Sequence, residues 1–105
     1  MNFESDCNEE LPRELTDVWK KAGIVNALPI QQKAIKSGLL RGESLLIVAP
    51  TSSGKTFLGE IVATQHAFNG QRAIYLVPYK AIAEERFGEF SERYRDNQSI
   101  GLRCV

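Results

Sequence analysis

The stretch Ala49-Pro50-Thr51-Ser52-Ser53-Gly54-Lys55-Thr56 constrains this chain more than any other feature. It follows the apolar run Leu45-Leu46-Ile47-Val48 and precedes a segment with Leu58, Ile61, Val62 and Gln65 at helical spacing. A continuous apolar run of that length suits a strand buried on both faces. Strand, Gly-Lys-Thr turn and helix in that order form the context of the G-x-x-x-x-G-K-[ST] phosphate-binding pattern, here with Ala49 in place of the first glycine. Backbone N–H groups from Ser52 to Thr56 can converge on phosphate oxygens. Gly54 keeps a side chain out of the way. Lys55 brings a mobile positive charge to the β and γ phosphates, and the Thr56 hydroxyl can join Mg²⁺. Thr51, Ser52, Ser53, Gly54, Lys55 and Thr56 are therefore the candidate nucleotide ligands, with Lys55 and Thr56 the catalytic candidates.

The rest of the pattern extends the same architecture. Leu15, Val18, Trp19 and Ala22 mark one face of a short helix, with Trp19 read as packing over the helix that follows. That second helix opens at Pro29, where a missing N–H is harmless, and Gly42 ends its segment. Ala73-Ile74-Tyr75-Leu76-Val77 reads as a second buried strand stopped by Pro78. A helix from Lys80 to Arg95 follows, with Ala83, Phe87, Phe90 and Tyr94 inward, and residues 100–105 read as a third strand. Strand, helix, strand, helix, strand with short turns predicts an α/β fold, a parallel-sheet P-loop architecture preceded by N-terminal helices. Three strands are few for a doubly wound sheet, so the segment reads as the opening of a larger domain.

Charge and cysteine content narrow the class. The 105 residues carry 13 basic and 13 acidic side chains, which excludes a uniformly basic nucleic-acid coat but not a local basic path. Glu4, Asp6, Glu9, Glu10, Glu14 and Asp17 face Arg13 alone at the start, so residues 1–10 are expected as a flexible acidic lead-in and residues 11–105 as the folded part. Cys7 and Cys104 form no metal-binding pair and read as free thiols. No apolar run long enough to span a membrane occurs, and the first residues lack a signal peptide's basic start and apolar core. An intracellular location is expected, without separating nucleus from cytoplasm.

Gln31, in Leu28-Pro29-Ile30-Gln31-Gln32, is the candidate for reading the base. A glutamine amide donates and accepts at once, as the adenine edge requires and the guanine edge does not. The expected cofactors are ATP and Mg²⁺.

Three blocks in order resemble the start of the first RecA-like motor domain of a superfamily 2 helicase. Leu28-Pro29-Ile30-Gln31 resembles its glutamine motif, Ala49 to Thr56 its motif I, and Pro78-Tyr79-Lys80-Ala81-Ile82-Ala83-Glu84-Glu85 its motif Ia. Pro-Thr-Ser-Ser-Gly-Lys-Thr followed by Lys-Ala-Ile-Ala-Glu-Glu is more similar to the Ski2-like group than to DEAD-box proteins. The aromatic that DEAD-box proteins carry upstream of the glutamine is Glu14 here, so no base stacking is carried over to that position. The resemblance implies an ATP-dependent DNA or RNA helicase, with DNA slightly favoured and DNA repair among its settings. It implies Lys80, and Tyr79 with it, as contacts to the backbone of a nucleic-acid strand. It also implies partners: single-stranded or partly duplex nucleic acid and the remaining motor domain. A P-loop ATPase or kinase that does not act on nucleic acid is the alternative, and a scaffold with a degenerate site a third reading.

Hydrolysis needs an acidic metal-orienting motif and a neutralising arginine. No Asp-Glu pair occurs in these residues, and Asp96 reads as a helix-end residue, so the segment by itself is expected to be inactive. Arg72, Arg86, Arg93, Arg95 and Arg103, interleaved with Glu84, Glu85, Glu89 and Glu92, read as a solvated surface. His66 reads as a helix-surface residue.

Overall fold

The computed structural model describes residues 1–50, 54–97 and 100–101. Helix α1 spans Phe3–Asp6, α2 Arg13–Lys21, α3 Pro29–Lys36, α4 Lys55–Phe68 and α5 Lys80–Arg93, with a 3₁₀ turn at Leu39–Arg41. Thr51, Ser52, Ser53 and the greater part of the expected third strand lie outside the described residues.

The first ten residues correct the expectation of a loose lead-in. Asn2 caps α1, its Oδ1 accepting from the N–H groups of Glu4 and Ser5 at 2.9 and 3.0 Å, an arrangement that satisfies helix-start donors. The chain around it is clamped by an antiparallel bridge between Asn2 and Asn26. Phe3 N–H donates to Val25 O at 3.0 Å, and Ala27 N–H to Met1 O at 2.8 Å. Phe3 and Cys7 are then fully buried. An acidic composition concealed these two apolar anchors, which face the core while Glu4 and Asp6 stand on the helix's other positions.

Leu15 and Trp19, one turn apart on α2, are both fully buried, as the 3.6-residue period requires. Trp19 shares the core with Ala34 and Ile35 of α3 and also meets aromatic rings from two other segments. Its ring meets Phe3 at 5.4 Å and Phe57 at 5.2 Å between centroids, both edge to face. Such pairs contribute about 0.5–1.5 kcal/mol each beyond area burial. Leu39, Leu58, Ile61 and Tyr94 complete the core around them. Buried Gln65 donates from Nε2 to the carbonyls of Glu10 and Leu40 at 3.1 and 3.0 Å, which ties α4 to the N-terminal segment and to the 3₁₀ turn.

The expected parallel sheet is not formed among the described residues. Segments 45–49 and 73–77 carry no ladder hydrogen bonds and are not strands. Each alternates instead. Leu45, Ile47, Tyr75 and Val77 are half-buried, while Leu46, Val48, Ile74 and Leu76 are 85–93% exposed. The physical reason is in the coverage. Parallel strands persist where both faces are covered, and the described helices cover only one side of these segments. Tyr75 illustrates the covered side: its ring packs edge to face on Phe90 at 5.4 Å and lies so close to α4 that a Cβ on Gly59 would stand 2.9 Å from Cε2.

Helix α5 ends two residues earlier than expected, at Arg93. Phe87 is exposed rather than inward, and no residue between Lys80 and Arg93 is buried.

Candidate nucleotide and nucleic-acid site

Gly54 sits at φ +90°, ψ 12°, the left-handed region, and closes the turn into α4. A side chain is excluded there twice over. The backbone conformation is strained for any L residue, and a Cβ would lie 2.6 Å from Leu28 Cδ1 and 2.8 Å from Gln31 Nε2. The first turn of α4 has no side-chain cap, so its N–H groups are the kind of donors that anions meet at a helix start. Lys55 and Thr56 open α4 and are exposed. Lys55 Nζ donates to Ala49 O at 2.9 Å, which draws the lysine back across the turn to the residue before it.

Gln31 is only 4% exposed, and both ends of its amide are engaged. Leu28 N–H donates to Oε1 at 2.8 Å, and Nε2 donates to Gly54 O at 3.0 Å. One bond caps the start of α3 and the other binds α3 to the glycine of the turn. A glutamine amide has four hydrogen-bonding positions, and two of them are taken by these bonds among the described residues. Next to this link an open, mainly apolar cleft of about 500 Å³ is lined by Leu28, Pro29, Ile30, Lys33, Val48, Ala49 and Pro50. It lies between the start of α3 and the residues that lead into the Gly54 corner, and is wide enough to admit a planar base.

The chemistry of this donor set fits a magnesium nucleotide. The turn excludes a Cβ, a lysine ammonium is at hand, and Thr56 offers a hydroxyl. No group of three or more His, Cys, Asp or Glu occurs among the described residues. Magnesium in triphosphate sites is held largely by phosphate oxygens and water with one or two protein ligands, so such a cluster is not required.

Tyr79 is the N-cap of α5, in an extended conformation, and Lys80 is its first residue. The Lys80 side chain is 91% exposed, and its ammonium stands 3.9 Å from Glu84 one turn on. An exposed pair at that distance contributes little and leaves the ammonium available. Tyr79 is also exposed. His66 Nδ1 lies 2.9 Å from Val62 O on its own helix.

Arg93 departs from a solvated reading. It reaches across to Glu60 of α4, a residue no motif had singled out. Glu60 is buried and accepts from both Arg93 Nη1 and the Tyr94 hydroxyl. Tyr94 O in turn accepts from Trp19 Nε1 at 2.9 Å. Burial first, then the charge and hydrogen bond of Glu60, push the Tyr94 hydroxyl well above its ordinary range. Burial pulls the Arg93 guanidinium down, but the hydrogen bond and charge of Glu60 outweigh it and the net shift is upward. A glutamate on the inner side of α4, followed far downstream by Arg-Tyr, was the available signal. It was obscured because Glu89 offered Arg93 a local partner at helical spacing.

Gln31 and the Gly54-Lys55-Thr56 start of α4 are thus held together in one place. The sequence profile of the DEAD/DEAH box helicase family matches residues 28–105, and the chain belongs to that family. A protein of Methanocaldococcus jannaschii named a probable ATP-dependent helicase is 42% identical over 86 residues, 81% of this chain and 11% of the relative. The ATP-dependent DNA helicase Hel308 of Pyrococcus horikoshii is 43% identical over 96 residues, 90% of this chain and 13% of the relative. Its namesake in Thermococcus kodakarensis is 45% identical over 100 residues, 92% of this chain and 8% of the relative. These relatives bear out the resemblance to the Ski2-like group of superfamily 2 helicases, and the family implies a RecA-like P-loop fold. The chain spans about a tenth of the length of the relatives it matches.

Proposed function

We propose that residues 11–105 are the first part of a helicase motor domain that binds ATP and Mg²⁺ and, in the whole protein, couples ATP hydrolysis to movement along nucleic acid and its unwinding. Residues 51–56 take the triphosphate and Mg²⁺. Gln31 presents its remaining donor and acceptor to adenine lying in the adjoining cleft. Lys80, with Tyr79 beside it, meets the backbone of a single strand or of a partly duplex nucleic acid. DNA is favoured over RNA, because the Pyrococcus horikoshii and Thermococcus kodakarensis relatives are named DNA helicases, and DNA repair is the setting that suits such an enzyme. The acidic metal-orienting motif comes from a later part of the same motor domain and the neutralising arginines from the second motor domain, and the protein works inside the cell.

The observation that carries this reading is the bond from Gln31 Nε2 to Gly54 O. It joins a base-side motif to a phosphate-side motif in one site. The family match does not favour a P-loop kinase or ATPase unconnected with nucleic acid. Steady-state ATP turnover of full-length Lys55→Ala tests the proposal. Loss of a preorganised charge at the transferring phosphoryl group lowers turnover by about 100-fold or more. Turnover close to wild type in folded protein rejects it.

A further inference from the structure

The helix that starts at the Pro78-Tyr79-Lys80 corner is poorly fastened. No residue of α5 is buried, and Phe90 contributes one aromatic contact, to Tyr75. The polar fastening comes at its far end. Arg93 and the adjacent Tyr94 converge on one oxygen, Glu60 Oε2, and Trp19 Nε1 holds Tyr94 from α2. Glu60 lies five residues into α4, so it stands about 7–8 Å along the helix axis from Lys55. One carboxylate therefore links the helix that begins at the phosphate turn to the helix that begins at the corner proposed for the strand.

Stability alone is a poor reason for such a link. Glu60 is buried while Arg93 keeps about a quarter of its side chain exposed; burying a carboxylate costs desolvation that its pairing seldom exceeds, and apolar side chains of similar volume commonly do as well or better. A buried pair does fix register, because a displaced helix would leave a charge unpartnered.

We propose that Glu60, with Arg93, is a positioning residue that transmits strand occupancy at the α5 corner to ATP turnover at the turn into α4. The inference rests on the function proposed above. Glu60 touches neither nucleotide nor strand. It holds α5 at one setting on α4, so that a load at Lys80 is felt at Lys55 rather than absorbed by a sliding helix.

The test uses full-length protein and four measurements: thermal unfolding, ATP affinity, ATPase without nucleic acid, and ATPase with saturating single-stranded DNA. The variants are the double substitution Glu60→Met with Arg93→Met, which replaces the pair by apolar volume, and Arg93→Lys, which keeps the charge. The double variant should fold, bind ATP and hydrolyse it at the basal rate, yet lose about fivefold or more of its stimulation by DNA, the range of ordinary site-to-site coupling. Arg93→Lys should retain most of the stimulation. Undiminished stimulation in the folded double variant overturns the proposal. So does an equal fall in basal and stimulated rates, or a failure of both variants to fold, since either makes the pair structural only. Wild-type turnover that responds to no strand removes the functional reading and this inference together. Wild-type stimulation with unaltered variants removes this inference alone.

Discussion

Gln31 Nε2 donates to Gly54 O at 3.0 Å while Gln31 Oε1 accepts from Leu28 N–H at 2.8 Å. The residue proposed to read the base thus also braces the phosphate turn, and its two roles separate experimentally. Replacing Gln31 with Ala removes the brace for every nucleotide and the base contact for ATP alone. ATP affinity should fall more than GTP affinity, with the difference worth about 1–3 kcal/mol for one or two bonds to the base edge. Competition titrations of both nucleotides against wild type and Gln31→Ala measure it. Equal losses assign Gln31 to the brace and remove it from base recognition.

Gly54→Ala addresses the turn itself. The backbone is left-handed and a Cβ meets Leu28 Cδ1 and Gln31 Nε2 at 2.6 and 2.8 Å. A non-glycine residue in that conformation costs about 1–3 kcal/mol, and relief by moving Gln31 breaks its bond to the Gly54 carbonyl. Both a lowered melting temperature and ATP binding weakened by about tenfold or more are expected. A variant with wild-type melting and wild-type ATP affinity contradicts the geometry.

The helices were largely legible in sequence, and the sheet was not found among the described residues. Pro29 and the Gly54-Lys55 boundary announce helix starts through local rules, so α3 and α4 begin where expected. The apolar runs at 45–49 and 73–77 carry the composition of buried strands, but strand pairing depends on neighbours and on cover for both faces. Leu46 and Leu76 stand exposed for want of that cover. Phe3 and Cys7 were hidden within an acidic segment because composition averages over the very alternation that buries them. Gln31 stood out in sequence as a candidate, whereas its bond to Gly54 O did not, since spacing along a chain does not reveal which carbonyl lies opposite an amide. Glu60 was missed for the same reason: its partners, Arg93 and Tyr94, are more than thirty residues away.

Lys80 is an exposed cation at the first position of α5, with Glu84 3.9 Å from its ammonium. If it meets a strand phosphate, it positions the strand and reads no sequence. Lys80→Ala in the full-length protein should weaken single-stranded DNA binding equally for all base compositions. The slope of log affinity against log salt should fall by about 0.7, the value for one phosphate contact on a single strand. ATP affinity measured without DNA should be unchanged. Fluorescence anisotropy on labelled oligonucleotides at several salt concentrations decides it, and an unaltered slope makes Lys80 an ordinary surface lysine.

Tyr94 supplies a prediction about alkaline pH. Its hydroxyl accepts from Trp19 and donates to Glu60, and burial together with that carboxylate raises its pKa in the folded state. In the unfolded chain tyrosine titrates near pH 10. Above that pH the unfolded state has released a proton that the folded state still holds, so unfolding becomes more favourable as pH rises. The contribution of Tyr94 is therefore complete below about pH 10 and declines above it. Tyr94→Phe removes the titrating group and leaves Trp19 Nε1 without its acceptor, at a cost of about 1–3 kcal/mol near neutral pH. Denaturant unfolding of wild type and Tyr94→Phe at a series of pH values should show a constant gap from neutrality to about pH 9, then a gap that narrows as pH rises further. A gap that stays constant through pH 11 or widens there would show that the hydroxyl is not held neutral between Glu60 and Trp19.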